Sequence, residues 1–293
     1  MKKICLIILT LIIFVFLFGC SDEDRHIVIG TMDYTEQYIL GNILSQYIEA
    51  NTNVKTTMTV DMASDMIFAA IRTGVVDTYV EYTGTIYRYY IALSESRTAE
   101  EIFDITSGVI KEDYDIHMFD PLGFNNTYQL AVRRETAAEF NLKTISDLAE
   151  VSEDFIFGGS GDLIRRDDGL PNLKRLYNMT FKEEIPLFGI DRYIAITRDE
   201  IQVVGIFSTD GNLVTHELVI LEDDKNFFPP YEGVIIIREE TMDEFPELQR
   251  ILAKLSGMIT DDTMRELNYR VDILGDTPEE VAEYFLRRNN LID

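Results

Sequence analysis

Beyond its first two dozen residues, the chain alternates short apolar runs of strand character with stretches whose apolar residues recur at helical spacing. His26-Ile27-Val28-Ile29-Gly30 reads as a short buried strand ending in glycine. Ile39, Leu40, Ile43, Leu44, Tyr47 and Ile48 then recur three and four residues apart, which predicts a helix with Asp33 and Glu36 as a capping box at its start. Val54 to Val60 alternates as a strand, and Met66, Ile67 and Ile71 predict a helix that stops at Gly74. Thr78 to Tyr82 is strand-like again. This βαβαβ order argues for a parallel sheet with helices on its faces.

The alternation resumes at Tyr128. Strands are predicted at Tyr128–Arg133, Phe155–Gly158, Gln202–Phe207 and His216–Leu221, with helices at Ser146–Val151 and from about Gly169 to Tyr177. After Phe227-Phe228-Pro229-Pro230-Tyr231 comes the strand Val234–Ile237, and the remainder is mostly helical. Thr277-Pro278-Glu279-Glu280 opens the last helix, with proline at the first helical position and glutamate closing a capping box. No internal repeat, low-complexity stretch or long linker separates the two series. The expectation is two α/β lobes joined by strands that cross between them more than once.

The first residues follow a different pattern. Lys2 and Lys3 precede an apolar run from Ile4 to Phe18 of about 15 residues, short of the roughly 20 that span a bilayer as a helix. It reads as a signal-peptide core. Leu17-Phe18-Gly19-Cys20, followed by polar Ser21-Asp22-Glu23-Asp24, resembles the lipobox of bacterial lipoproteins, with Phe18 bulkier than that motif usually has. Residues 1–19 are then the signal peptide, Cys20 the lipid attachment site and 20–25 a tether. Cys5 and Cys20 are the 2 cysteines of the chain, so a body cleaved before Cys20 and lipidated on it has no free thiol left for a disulfide, thiolate catalysis or a cysteine–zinc site.

Charge narrows the function classes. The 293 residues hold 26 Lys and Arg against 52 Asp and Glu, a formal net charge of −26. Loss of Lys2 and Lys3 with the signal takes this to −28 (−26 − 2). Such a body repels phosphate backbones, which excludes nucleic-acid binding and polybasic membrane association. Hydrophobic residues at 46% are enough for a real core, so the acidity is not that of a disordered tail.

Enzyme signatures are sparse. His26, His117 and His216 are scattered, and no P-loop, dinucleotide fingerprint, G-x-S-x-G or H-E-x-x-H occurs. Asp167-Asp168 and Asp223-Asp224 read as solvated loop acids. No catalytic residue, metal or cofactor is expected. The tyrosines say more. Tyr82 ends a strand before Thr83-Gly84-Thr85, Tyr128 follows Gly123-Phe124-Asn125-Asn126-Thr127, Tyr231 follows two prolines, and Phe207 ends a strand before Ser208-Thr209-Asp210-Gly211. Strand ends facing across two lobes are where α/β proteins bind ligands.

The stretches IVIGTMDYTEQYILGNIL (27–44), DTYVEYTGT (77–85), LGFNNTYQLAVR (122–133), RDDGLPNLKRLY (166–177), FSTDGNLV (207–214) and VILEDDKNFFPPYEG (219–233) resemble the substrate-binding proteins of ABC importers for quaternary amines. The likeness runs in order through nearly all of 26–293. It implies a two-lobed, periplasmic-binding-protein-like (type II) α/β fold with a ligand cleft between lobes. Lobe 1 would comprise 26–127 and 233–293, and lobe 2 would comprise 128–232. It further implies a lipid-anchored monomer on the extracytoplasmic face of the cell membrane. That protein captures glycine betaine, carnitine or choline in osmoprotection and delivers it to an ABC permease and its ATPase, with no reaction of its own.

By the same likeness, Tyr82, Thr85, Tyr128 and Tyr231 fall at pocket positions, and Phe207 stands where the family commonly has another tyrosine. Arg166 matches a basic residue that holds a ligand carboxylate, and Asp162 an acidic pocket position able to neutralise it. Met32 departs from the polar or basic residue frequent there. Physics supports the aromatic set independently. A trimethylammonium head has charge but no N–H, and a ring face attracts it by roughly 0.5–2 kcal/mol. The alternatives are the same scaffold with another small solute, such as an amino acid or ectoine, a ligand-sensing lipoprotein without transport, or an extracellular hydrolase.

Overall fold

A computed structural model describes residues 26–214 and 216–293, so the signal segment 1–19 and the whole tether 20–25, with Cys20, lie outside the described residues. Ten strands occur: β1 (His26–Met32), β2 (Lys55–Met62), β3 (Thr78–Tyr82), β4 (Ile116–Met118), β5 (Tyr128–Arg133), β6 (Ile156–Gly159), β7 (Glu183–Pro186), β8 (Val203–Phe207), β9 (Leu218–Leu221) and β10 (Gly233–Arg238). They form two five-stranded sheets, ordered β2-β1-β3-β10-β4 and β7-β6-β8-β5-β9.

The sheets are mixed, where the strand–helix alternation alone suggested parallel ones. β1 pairs in parallel with β2 and β3, and β6 with β7 and β8. β10 runs antiparallel to β3 and β4, and β5 antiparallel to β8 and β9. The reversal has a topological cause: β5 and β10 are the strands entered directly from the other sheet, without the crossover helix that a parallel partner requires.

Alternation along the strands builds helix-covered faces. In the second sheet Leu130, Val132, Phe157 and Val203 join one core cluster, while Ala131, Val204 and Ile206 join another with Tyr193 and Ile196. In the first sheet Ile27, Ile29 and Ile236 pack with Ile39, Ile43 and Ile48 of the helix Thr35–Asn51. That helix does not start with the expected Asp33–Glu36 box. Tyr34 is its N-cap without a side-chain bond, so Glu36 falls in the first turn and turns inward. Capping boxes do form at Thr98–Glu101, Thr144–Asp147 and Thr277–Glu280. Gly74 closes the helix Ser64–Thr73 at φ 75°, a left-handed position that favours glycine.

Two extended segments, 119–127 and 222–232, connect the sheets and pair through an antiparallel bridge at Asn125 and Glu232. The bridge is reinforced by Asn126 N–H to Tyr231 C=O at 2.9 Å and Tyr231 N–H to Asn125 Oδ1 at 2.6 Å. The C-terminal helices return to the first sheet, where Pro278–Arg288 packs on Thr35–Asn51. Among the described residues no helix is long and apolar enough to cross a membrane.

Candidate functional site

A cavity of about 550 Å³ opens between the two sheets. Met32, Tyr82, Thr85, Tyr128, Asp162, Arg166, Phe207 and Tyr231, the residues singled out from the sequence, all line it. The reason is that strand ends converge there. Met32 and Tyr82 are the last residues of β1 and β3. Tyr128, first in β5, is the register partner of Phe207, last in β8. Tyr82 is the register partner of Gly233, which brings the crossing segment with Tyr231 over the end of β3. Gly84 makes that approach possible, because a Cβ there would lie 2.6 Å from Tyr231 Cδ1 and 2.7 Å from the Pro230 carbonyl.

Three of the rings touch. Tyr128 lies 4.9 Å from Phe207 and 5.7 Å from Tyr231, centroid to centroid, the second pair edge to face. Tyr82 stands apart on the first-sheet wall, edge-on to Phe124 at 6.4 Å. Burial, more than any other influence, pushes the phenols of Tyr82 and Tyr231 well up and that of Tyr128 to about 12, so all three stay neutral. The wall therefore offers ring faces and neutral hydroxyls.

The charged groups are arranged differently from the sequence expectation. Arg166 is not neutralised by Asp162. Its Nε donates to Asp168 at 2.8 Å with Nη2 alongside, and both side chains are buried. Burial is the largest single influence and opposes the guanidinium charge, but the Asp168 bond and charge, with the neighbouring Tyr128 and Tyr231, together outweigh it and the pKa rises. Asp168 is therefore no solvated loop acid, unlike its exposed neighbour Asp167. Asp162 pairs with Arg165 at 3.3 Å and accepts from Ser64 Oγ at 3.1 Å.

These contacts bridge the sheets. Arg166 lies over the Tyr89 ring at 4.2 Å and donates through Nη1 to Ser64 Oγ at 3.5 Å, so Ser64 and Tyr89 meet Asp162 and Arg166 across the cavity. Met32 is buried beside them, its sulfur 3.5 Å from Ser64 Oγ.

Sequence reasoning missed four participants. Tyr34, on the cavity wall, lies parallel to Phe207 at 6.1 Å. It obeys the same strand-end rule, being two residues past β1, and could have been found by it. Arg192, buried and paired with Asp210 at 3.3 Å, places its guanidinium 5.5 Å from the Phe207 centroid. Asn126 lines the cavity at the crossing. Glu36, at 3% exposure, accepts from Tyr82 Oη at 2.7 Å, Asn126 Nδ2 at 2.6 Å, Thr209 Oγ1 at 2.6 Å and Asn268 Nδ2 at 3.0 Å. Burial pushes its pKa up while those donors hold it back. Among the described residues no group of three metal-ligating side chains occurs.

Comparison with known proteins places this geometry in context. Residues 25–288 match the family described as the substrate binding domain of ABC-type glycine betaine transport systems. The carnitine transport binding protein OpuCC of Listeria monocytogenes is 33% identical over 278 residues, covering 94% of this chain and 90% of that protein. An ergothioneine transport permease/ergothioneine binding protein of Helicobacter pylori is 35% identical over 270 residues, covering 92% of this chain. The chain spans only 48% of that relative's length. A crystal structure described as a glycine betaine/carnitine/choline ABC transporter superimposes with a TM-score of 0.74 at 31% identity, covering 91% of this chain and all of that one.

Proposed function

We propose, from the premise that the chain belongs to the family of substrate-binding domains of ABC-type glycine betaine transport systems, that it captures a quaternary-ammonium osmolyte for import in osmoprotection. As a member of that family it is an extracytoplasmic binding protein serving an ABC transporter, and not an enzyme. Tyr82, Tyr128, Phe207 and Tyr231 hold the trimethylammonium head, Arg166 and Thr85 serve a carboxylate or hydroxyl, and Asp162 and Met32 complete the wall. Lobe 1 (26–127 and 233–293) and lobe 2 (128–232) close on the ligand about the two crossing segments. Cys20 carries a lipid anchor, and the monomer hands its ligand to a permease driven by a separate ATPase.

The observation that carries this reading is the contact of Tyr128 with both Phe207 and Tyr231 on the wall of one cavity. A cation over several such faces gains several kcal/mol, roughly the interval between millimolar and micromolar binding. Calorimetric titration with glycine betaine, carnitine, choline, ectoine and proline tests it. Heat is expected from at least one quaternary amine, and none from ectoine or proline. Silence with every quaternary amine overturns the reading.

A second ligand is favoured by the cavity's outer rim. Leu187, Phe188 and Ile190 line it, and Phe188 is 62% exposed. Glycine betaine has only its methyls and a carboxylate to set against that apolar rim. Ergothioneine, the solute named for the Helicobacter relative, is also a trimethylammonium betaine and bears a sulfur-substituted imidazole that would cover it. Including ergothioneine in the titration separates the two.

A further inference from the structure

The cavity wall contains three arginines, and each has its own carboxylate: Arg165 with Asp162, Arg166 with Asp168 and Arg192 with Asp210. Each pair is neutral as a unit. Glu36 is different. It lies behind Tyr82, buried, and among the described residues no Lys, Arg or His forms an ion pair with it. Tyr82, Asn126, Thr209 and Asn268 place four donors on its two oxygens. A carboxylate offers about four lone-pair positions and accepts only, whereas a protonated acid needs one position for its own hydrogen. The surroundings are built for the ionised form.

An ionised buried group without a cation is costly to maintain for stability alone. Here it sits one phenol away from a cavity whose three arginines are each paired, and the other acid on that wall outside those pairs, Asp33, is exposed to solvent. Glu81 flanks Tyr82 on the other side, accepting from the Tyr82 N–H at 2.8 Å and from Tyr79 Oη at 3.0 Å, but it shares the hydroxyl of Tyr90, which also reaches the Ser64 carbonyl at 2.7 Å. With one hydrogen between those two acceptors, Glu81 is the better place for a proton and Glu36 for a lasting charge.

We propose that Glu36 is the buried counter-charge of the ligand cation, acting through the phenol of Tyr82, whose hydrogen bond to the carboxylate makes its ring face more negative. The inference rests on the quaternary-ammonium reading and adds a positioning residue that does not itself line the cavity. A unit charge roughly 10 Å away at an effective dielectric constant of about 20 changes affinity by about tenfold.

The test compares choline with its uncharged isostere 3,3-dimethylbutan-1-ol, each titrated against wild type and Glu36→Gln by NMR chemical shift, which reads millimolar binding. The variant keeps the shape and an acceptor but loses the charge. Choline affinity is expected to fall about tenfold and isostere affinity to change less than about twofold, with thermal unfolding confirming the fold. If Glu36→Gln does not fold, Tyr82→Phe keeps the ring and removes the phenol's bond to the carboxylate, together with the one it accepts from Gln37 Nε2. It should cost choline about threefold more than it costs the isostere. Equal losses for both ligands would mean that Glu36 merely ties the lobes together, which overturns the inference and leaves the ring site standing. An unchanged choline affinity overturns it likewise. Failure of the wild type to bind any quaternary amine overturns the reading and the inference together.

Discussion

Arg166 has three engagements in a small volume: the Asp168 carboxylate, the Tyr89 ring and the Ser64 hydroxyl. Truncating it alone would strand a buried Asp168, at about 3–5 kcal/mol of stability, and confuse binding with folding. The paired replacement Arg166→Gln with Asp168→Asn avoids this. It should weaken glycine betaine and carnitine about tenfold more than choline, because only the first two bring a carboxylate. Parallel titrations check it, and equal loss for all three assigns Arg166 a purely structural part. Phe207 gives a second residue-level expectation. Its ring face is already half committed to Arg192, so Phe207→Tyr should shift affinity less than about threefold. Phe207→Ala should lose roughly 0.5–2 kcal/mol of choline binding.

The elements divide into those that hold the fold and those that aim the site. The capping box Thr98–Glu101 opens the helix Ala99–Tyr114 away from the cavity. Thr98→Ala should cost about 1 kcal/mol, read as a Tm lowered by roughly 2–4 °C, with ligand affinity unchanged. The turn after β3 belongs to the other class. Gly84→Ala puts a methyl against Tyr231 and a carbonyl, at a cost on the order of 1–3 kcal/mol. Since Tyr231 must then move, affinity should fall along with Tm, and that joint loss distinguishes it from Thr98→Ala. Local pattern, which predicted neither the helix Ala99–Tyr114 nor its cap, did reveal the strand ending at Tyr82, because a strand end depends on residues a few positions apart. It did not reveal the antiparallel entry of β5 and β10, which follows from where the chain arrives in space.

At the scale of the whole molecule, an acidic chain of net charge −26 keeps several carboxyl groups inside, and this sets its response to pH. Burial pushes Glu81 up to about 7, against the usual 4.5. The folded state thus holds this proton more tightly than the unfolded chain. Its stabilising contribution is full below about pH 4.5 and is lost as pH rises through about 7, a change of roughly 3 kcal/mol. Glu36, Glu232 and Asp272 are shifted in the same direction, each chiefly by burial. Glu81→Gln removes one titration, so Tm plotted against pH from 5 to 8 should fall less steeply than in wild type. An unchanged slope would mean that Glu81 is ionised throughout.

The sequence by itself determined the alternation of strands and helices, the strand-end aromatics and, through a chain of motifs in order, the family. Each of these is written in near-neighbour spacing, where periodicity and turn chemistry act. Tertiary structure alone decided the polar half of the site. Glu36 looked like one half of a helix cap, yet its donors come from residues 46, 90, 173 and 232 positions away. Asp168 looked like a solvated acid two residues from Arg166, and its burial beside a guanidinium that Tyr89 and Ser64 hold in place made it the partner instead. The physical reason is common to both. An apolar or aromatic side chain carries its preference for the interior wherever it stands, whereas a carboxylate takes its role from whichever donors the fold brings to it.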